Sequence, residues 1–293
     1  MSNLLVVGLI FLYTFQSAFC NLYAKKYPGK AELASPVYSV FYGLFVALGT
    51  FAFAGFSFVP TGTTAILGVI CGVCLVAYNL LLIKAANLGP FSVTMIFNLS
   101  GGILLPLFWS LIHDGEKLSL WQIAAIFVML VSFFFLNRQD NKSEQKISAR
   151  FLLVVSLLGC ANGVYGILIN TAARVSGGTQ NADMIITTYG TAAALALLLL
   201  AILAGKETFP AFRQTTKSFL CVLAASVSAC AAINLLMYAL KLINVAVLYA
   251  MDNGGVLVVS VLWSALILRE KISKYKLIGL LLALGAIVAL SVL

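Results

Sequence analysis

Long apolar runs, each close to twenty residues, recur along the whole 293-residue chain. A helix needs about 20 mostly apolar residues to cross the hydrocarbon core of a bilayer, so each run predicts one membrane-spanning helix. Since 62% of the residues are hydrophobic and only 9% are charged, the chain could not cover its apolar surface in water. We therefore expect an all-α, polytopic membrane protein with ten transmembrane helices, at residues 3–23, 35–56, 64–86, 90–112, 120–137, 150–172, 183–204, 216–241, 244–268 and 274–292.

The two halves of the chain resemble each other, and residues 97–119 align with residues 251–273 without a gap. The alignment pairs Trp109-Ser110 with Trp263-Ser264, Glu116-Lys117 with Glu270-Lys271, Gly101 with Gly255, and Asn98 with Asp252. A looser match pairs the "YG" at 42–43 with the "YG" at 189–190. The sequence therefore predicts two five-helix repeats, 1–138 and 150–293, around a polar linker at 139–149. Because five is odd, the second repeat enters the membrane inverted, as in many secondary transporters.

The basic residues lie mostly in alternate loops. Fifteen Lys and Arg follow the odd-numbered spans, and three follow the even-numbered spans. The positive-inside rule then places the odd loops in the cytoplasm and both termini outside. The net charge of +9 is explained by this loop bias, so it does not indicate nucleic-acid binding.

Each half ends in a similar turn before its last helix, "GEKLS" at 115–119 and "REKIS" at 269–273. Two such five-helix halves resemble the drug/metabolite transporter superfamily, and its ten-helix EamA-type group in particular. The resemblance implies a basket-like bundle around a substrate cavity, lined mainly by the third, fourth, eighth and ninth spans. Arg269 departs from the family, which usually has a small residue there, and the family usually keeps both termini in the cytoplasm, opposite to the charge bias here.

Asp252 lies inside the ninth apolar run, where a carboxylate costs roughly 2.5–3.5 kcal/mol to insert. It should therefore face the bundle interior, and Tyr249 lies on the same helix face. Asn98 stands at the matching depth of the fourth span. The functional interpretation is that Asp252 binds a cationic group or a coupling proton, because desolvation favours a reversibly protonated carboxyl. The structural interpretation is that Asp252 holds the ninth span in place through hydrogen bonds.

Further polar side chains follow helical spacing on other spans and are candidates for the cavity lining or for interhelical hydrogen bonds. These are Tyr13, Gln16, Tyr78, Asn79, Asn162, Tyr165 and Asn234. Small or helix-breaking residues follow the polar positions of the fourth and ninth spans and would weaken those helices or admit a close neighbour. They are Gly101, Gly102, Pro106, Gly254 and Gly255.

The sequence argues against several other functions. His113 is the one histidine, and the Cys71–Cys74 pair lacks a second ligand pair, so we expect no catalytic triad, metal site or enzyme. Nothing resembles a phosphate-binding loop, and no cofactor is expected. The sequence favours a secondary transporter of a small organic metabolite, working by alternating access in a bacterial inner membrane, with proton coupling and a homodimer left open. The family resemblance implies export of an amino acid, an amine or a related metabolite. The alternative is a flippase for a lipid or lipid-linked sugar, which a lateral opening lined by small residues would favour.

Overall fold

Every regular element in the computed structural model is helical; the structure describes residues 2–89, 91–115, 117–136, 148–267 and 273–292. Residues 139–147 of the predicted linker, Glu116, Glu270 and the side chain of Trp263 lie outside the described part. The helices are α1 Ser2–Lys26, α2 Ala31–Phe53, α3 Gly62–Leu88, α4 Phe91–Ile112, α5 Leu120–Leu136, α6 Ala149–Val175, α7 Asn181–Ala204, α8 Thr208–Ala211, α9 Thr216–Ala239, α10 Val245–Ile267 and α11 Lys274–Val292.

Eight of the described helices, α1, α2, α3, α4, α6, α7, α9 and α11, are long and apolar enough to cross a membrane. Two further apolar segments are shorter, α5 and the part of α10 at Val245–Val259. The prediction of an all-α, polytopic membrane protein is therefore confirmed. The total of ten spans stays a prediction, since length and composition support eight of them.

Several helix starts carry a side-chain cap that the sequence encodes locally. Ser119 and Gln122 form a reciprocal capping box at the start of α5. The backbone N–H of Gln122 donates to Ser119 Oγ at 3.1 Å, and the backbone N–H of Ser119 donates to Gln122 Oε1 at 2.9 Å. Thr215 and Ser218 do the same for α9. Ser148 caps α6 and Asn244 caps α10. These caps satisfy backbone amides that no intrahelical carbonyl can reach, so they fix where each helix begins.

The chain divides into two compact units, and each contains helices from both halves of the sequence. The first unit is Met1–Phe11, Ala77–Asn170 and Leu242–Leu293; the second is Leu12–Val76 and Thr171–Lys241. Within the first unit α4 packs on α10 and α5 packs on α11, and within the second α2 packs on α7 and α9. Three of these pairs, α2–α7, α4–α10 and α5–α11, join spans that occupy matching places in the two halves. The division of the chain into two repeats stays a prediction from the sequence.

Each unit has its own apolar core. In the first unit Phe151, Val155 and Leu158 of α6 are fully buried and pack with Ala85 of α3. In the second unit Leu33 and Val37 of α2 pack with Leu200 of α7. Burial of these side chains fixes which face of α6 and of α2 points inward, and so fixes where the polar side chains on the same helices can point.

Candidate substrate-binding site

Glycines bring α4 and α6 into direct backbone contact in the first unit. A Cβ atom on Gly101 would collide with the backbone of Gly159, and one on Gly163 would lie 2.5 Å from the carbonyl oxygen of Gly101. Only glycine lacks the Cβ atom that would force the two helices apart. This contact sets the spacing at which polar groups of α6 can reach the backbone of α4.

Asn98 lies at the centre of a small polar network on α4. Its side-chain Nδ2 donates to the hydroxyl of Tyr78 at 3.1 Å, and its backbone carbonyl accepts from Nδ2 of Asn162 at 3.0 Å. Asn162 also lies against Gly102, where a Cβ atom would come within 2.5 Å of the amide nitrogen. Three of the predicted site residues, Tyr78, Asn98 and Asn162, therefore lie together, on α3, α4 and α6.

Two polar side chains of α10, Asn253 and Tyr249, lie against α4 and α6 close to this network. Nδ2 of Asn253 donates to the carbonyl of Tyr249 at 2.9 Å, and its Oδ1 lies 3.7 Å from the position that a Cβ of Gly102 would occupy. The hydroxyl of Tyr249 donates to the carbonyl of Gly166 at 3.1 Å. The sequence pattern had not singled out Asn253, although it follows Asp252 directly and could have been found by its polarity alone.

Asp252 is buried in α10, at 7% exposure, and no described Lys or Arg forms an ion pair with it. Its Oδ1 has no hydrogen-bond partner among the described residues, and the same is true of Oδ1 of Asn98. A carboxylate oxygen buried without a hydrogen-bond partner is costly, so Oδ1 of Asp252 is a candidate acceptor for a ligand. Asn98 and Asp252 thus present two unused acceptors on a pair of helices, α4 and α10, that pack together.

Of the two effects expected for the small or helix-breaking residues, the structure shows close neighbours, while α4 and α10 run continuously through all five positions. Gly254 and Gly255 are packing points: a Cβ on Gly254 would overlap Met129 of α5, and one on Gly255 would overlap Ile10 of α1. Pro106 lies beside Gly166 of α6, with its Cγ 3.1 Å from a Cβ built there. These glycines therefore admit a close neighbour, which a residue with a Cβ atom would displace.

The remaining predicted residues do not join one cluster. Asn79 of α3 and Tyr165 of α6 are half-buried in the first unit. Asn234 lies in the second unit, where its Nδ2 donates to Thr50 Oγ1 at 3.2 Å and to the carbonyl of Cys230 at 2.8 Å. The first of these hydrogen bonds joins α9 to α2, and the second stays within α9. Asn234 therefore forms an interhelical hydrogen bond, one of the two roles expected for it.

A row of tyrosine rings runs through the second unit. Tyr23, Tyr38, Tyr42 and Tyr189 follow one another with ring centroids 5.2, 5.3 and 5.8 Å apart. Nε2 of Gln16 donates to the hydroxyl of Tyr42 at 2.8 Å, while its buried Oε1 has no partner among the described residues. Tyr13, one turn earlier on α1, is half-buried.

The sequence contained one signal for this row, the two "YG" pairs. Tyr42 and Tyr189 pack against each other, and a Cβ on Gly43 would lie 2.7 Å from the carbonyl oxygen of Tyr189. The matching dipeptides of the two halves therefore meet in space. Tyr23 and Tyr38 had no comparable signal, because nothing in the local pattern separates a buried tyrosine from one at the membrane interface.

The Tyr78–Asn98 hydrogen bond gives a test of the network. We expect Tyr78→Phe to lower the free energy of unfolding by about 1–2 kcal/mol, because it leaves the Asn98 amide without that acceptor. Adding Asn98→Leu removes the amide donor that Tyr78→Phe leaves without an acceptor. The double variant should therefore lose less free energy of unfolding than the two single variants lose together. Chemical unfolding of the purified proteins in micelles measures this free energy for the two single variants and the double variant. Strictly additive losses would mean that the bond contributes nothing.

An apolar groove lies beside the α4–α6 contact and has a volume of about 450 Å³. Its lining contains no charged residue and comes from two helices, as Ile96, Phe97, Ser100, Gly101, Leu104, Leu105 and Phe108 of α4 and Ser156, Gly159 and Cys160 of α6. Cys160 and Phe108 are exposed. The groove is therefore an opening on the side of the helix pair and is chemically unlike the polar network.

Comparisons with known proteins agree with this architecture. Residues 152–292 match the model of the EamA-like transporter family. A solved structure described as "Crystal structure of protein" superposes with a TM-score of 0.76 over 99% of this chain and 98% of its own, at 16% identity, and so shows the same fold. No curated protein matches the chain. The resemblance to the EamA-type group is thereby confirmed: residues 152–292 match the EamA-like transporter family, and this match together with the long apolar helices indicates a multi-pass membrane transporter.

Proposed function

We propose that the chain is a secondary exporter of a small organic metabolite such as an amino acid or an amine, and that it catalyses no chemical reaction. The observation that carries this proposal is the buried carboxyl of Asp252, whose Oδ1 has no partner among the described residues. A purely structural carboxyl would be expected to use its acceptors on neighbouring amides and hydroxyls, because stranded polar atoms are costly in an apolar interior.

The proposed ligand chemistry follows from the carboxyl of Asp252 and the neutral polar groups of the same compact unit. Amides and phenol hydroxyls on α3, α4, α6 and α10 offer neutral hydrogen-bonding groups, at Tyr78, Asn98, Asn162, Tyr249 and Asn253. One carboxyl among neutral polar groups suits a ligand with a single ammonium group. The same carboxyl suits a proton when the ammonium is absent, which would make substrate and proton compete for one site.

The transport mechanism we propose is alternating access by two inverted repeats, 1–138 and 150–293, that rock about a shared site. The pairing of matching spans, α4 with α10 and α2 with α7, supports it, because inverted repeats place counterpart helices on either side of a pseudo-twofold axis. We place the protein in a bacterial inner membrane, where a proton gradient can drive an exporter. Proton exchange at Asp252 then couples export to that gradient.

Reconstitution tests this function directly. The purified full-length chain is placed in liposomes containing a pH-sensitive dye, and a panel of labelled amino acids and amines is added in turn. We expect proton movement to appear with one substrate class and to be absent from protein-free liposomes. Substrate movement without any proton movement would overturn the coupling, and movement of a labelled lipid alone would favour the flippase alternative.

A further inference from the structure

The polar atoms that lack a hydrogen-bond partner in the buried interior share one chemical character. Among the described residues, every such buried side-chain atom is an oxygen, and five of the seven belong to amide carbonyls or a carboxylate. In the first unit they are Oδ1 of Asn98 and of Asp252; the second unit holds Oε1 of Gln16 and Gln214 and Oδ1 of Asn181. Amide carbonyl and ionised carboxylate oxygens can only accept, so a ligand that completes these hydrogen bonds has to supply donors.

The donor groups close to Asn98 already serve protein acceptors. Nδ2 of Asn162 donates to the backbone carbonyl of Asn98 at 3.0 Å. Nδ2 of Asn253 donates to the carbonyl of Tyr249 at 2.9 Å, and the hydroxyl of Tyr249 donates to the carbonyl of Gly166 at 3.1 Å. A backbone carbonyl never donates, so these bonds fix each of the three groups as the donor. This region of the first unit therefore leaves oxygen acceptors unused.

The charged residues of the spanning helices favour the same ligand chemistry. In the spanning segments that the structure describes, every Lys and Arg lies among the first three or the last two residues. Asp252 is the eighth residue of α10 and lies deeper in its helix than any other charged residue of these segments. A carboxylate brought to that depth would find no described cation there, and an unpaired buried carboxylate is costly in an apolar interior.

We propose that the substrate is an organic amine that carries an ammonium group and no carboxylate. This inference rests on the proposed transport function and chooses between its two substrate classes, amines and amino acids. An ammonium group has three N–H donors and no acceptor, so it complements Oδ1 of Asp252 in both charge and hydrogen bonding. An amino acid brings the same ammonium group, but its carboxylate adds acceptors and a negative charge that the interior leaves uncompensated.

Binding of matched compounds tests the substrate class separately from transport. Isoamylamine, leucinol and leucine share one side chain and one ammonium group, and only leucine has a carboxylate. Phenethylamine, phenylalaninol and phenylalanine form a second series with an aromatic side chain. The purified full-length protein in detergent micelles is titrated with each compound by calorimetry at neutral pH. In at least one series we expect the amine and the amino alcohol to bind within about tenfold of each other, and the amino acid about a hundredfold more weakly.

The amino alcohols separate charge from size, because a hydroxymethyl group replaces the carboxylate. An amino alcohol that binds as weakly as the amino acid would overturn the inference, since size would then decide. An amino acid that binds as tightly as its amine would overturn the inference and leave the proposed transport function in place. If none of the six compounds binds to the folded protein, the inference and the proposed function both fail.

Asp252→Asn links the preference to the carboxyl group of α10. The preference for amine over amino acid should fall about tenfold or more, because the variant neither attracts an ammonium group nor repels a carboxylate as strongly. Asp183→Asn is the matched control and should keep the full preference, since Oδ1 of Asp183 accepts from the backbone amide of Val59. Thermal unfolding verifies that both variants fold. An unchanged preference in folded Asp252→Asn would overturn the inference.

Discussion

Replacing Asp252 by asparagine is expected to lower substrate-driven transport by about a hundredfold or more, because a charge-assisted contact worth about 1.5–3 kcal/mol is lost together with the proton-exchange step. The asparagine has nearly the same shape, so expression and unfolding temperature should change little. Initial rates in proteoliposomes, at several substrate concentrations and internal pH values, measure the loss.

Asp183 provides a matched control, because it is also a buried aspartate in a spanning helix. Its Oδ1 accepts from the backbone amide of Val59 at 2.9 Å, which ties the α2–α3 loop to the first turn of α7. Asparagine keeps an oxygen in that position, so Asp183→Asn should transport nearly normally. If Asp252→Asn also transports normally, Asp252 has no part in the mechanism and its burial is structural.

The second large effect is expected for Gly101→Ala, which should destabilise the protein by about 1–3 kcal/mol or more. The added methyl group would meet the backbone of Gly159 and not a side chain that can rotate away. Relief requires α4 and α6 to separate, and this would also stretch the bond from Asn162 to the carbonyl of Asn98. Thermal unfolding in detergent micelles measures the change, and transport should fall with it.

Gly285→Ala is the control for the destabilisation expected from Gly101→Ala. Gly285 lies inside α11, and a Cβ built there meets no atom within 4 Å. Alanine is a better helix former than glycine by about 0.8–1.0 kcal/mol, so this variant should be as stable as the unaltered chain or slightly more stable. Equal destabilisation by the two substitutions would show that helix propensity, and not the α4–α6 contact, governs the response at Gly101.

Several parts of the fold were predictable because they depend on neighbours in the sequence. The capping box of Ser119 and Gln122 needs only residues three apart, and it begins α5 at the predicted residue, Leu120. The apolar runs predicted spanning helices for the same reason. The role of the glycines in α4 was harder to predict, because a glycine can either interrupt a helix or admit a close neighbour. The neighbour of Gly101 is Gly159, which lies 58 residues away in the sequence.

The candidate site was predictable in part. Asp252 stood out because a carboxyl in an apolar run is costly, and its partner position Asn98 followed from the internal match. The separation of the candidates into two groups was not predictable. Asn98, Asn162 and Tyr249 lie in one compact unit, whereas Gln16 lies in the other with a row of tyrosines.

The sequence by itself determined that the chain is a helical membrane protein, where most helices start, and which polar residues are unusual enough to suspect. These properties are set by the length and composition of short segments, so they need no knowledge of distant contacts. Only the tertiary structure decided that α4 and α6 touch through glycine, that Asn98 engages Tyr78, and that an apolar groove opens beside them. Those outcomes depend on which helix faces come together, and that is fixed by packing among residues far apart in the chain.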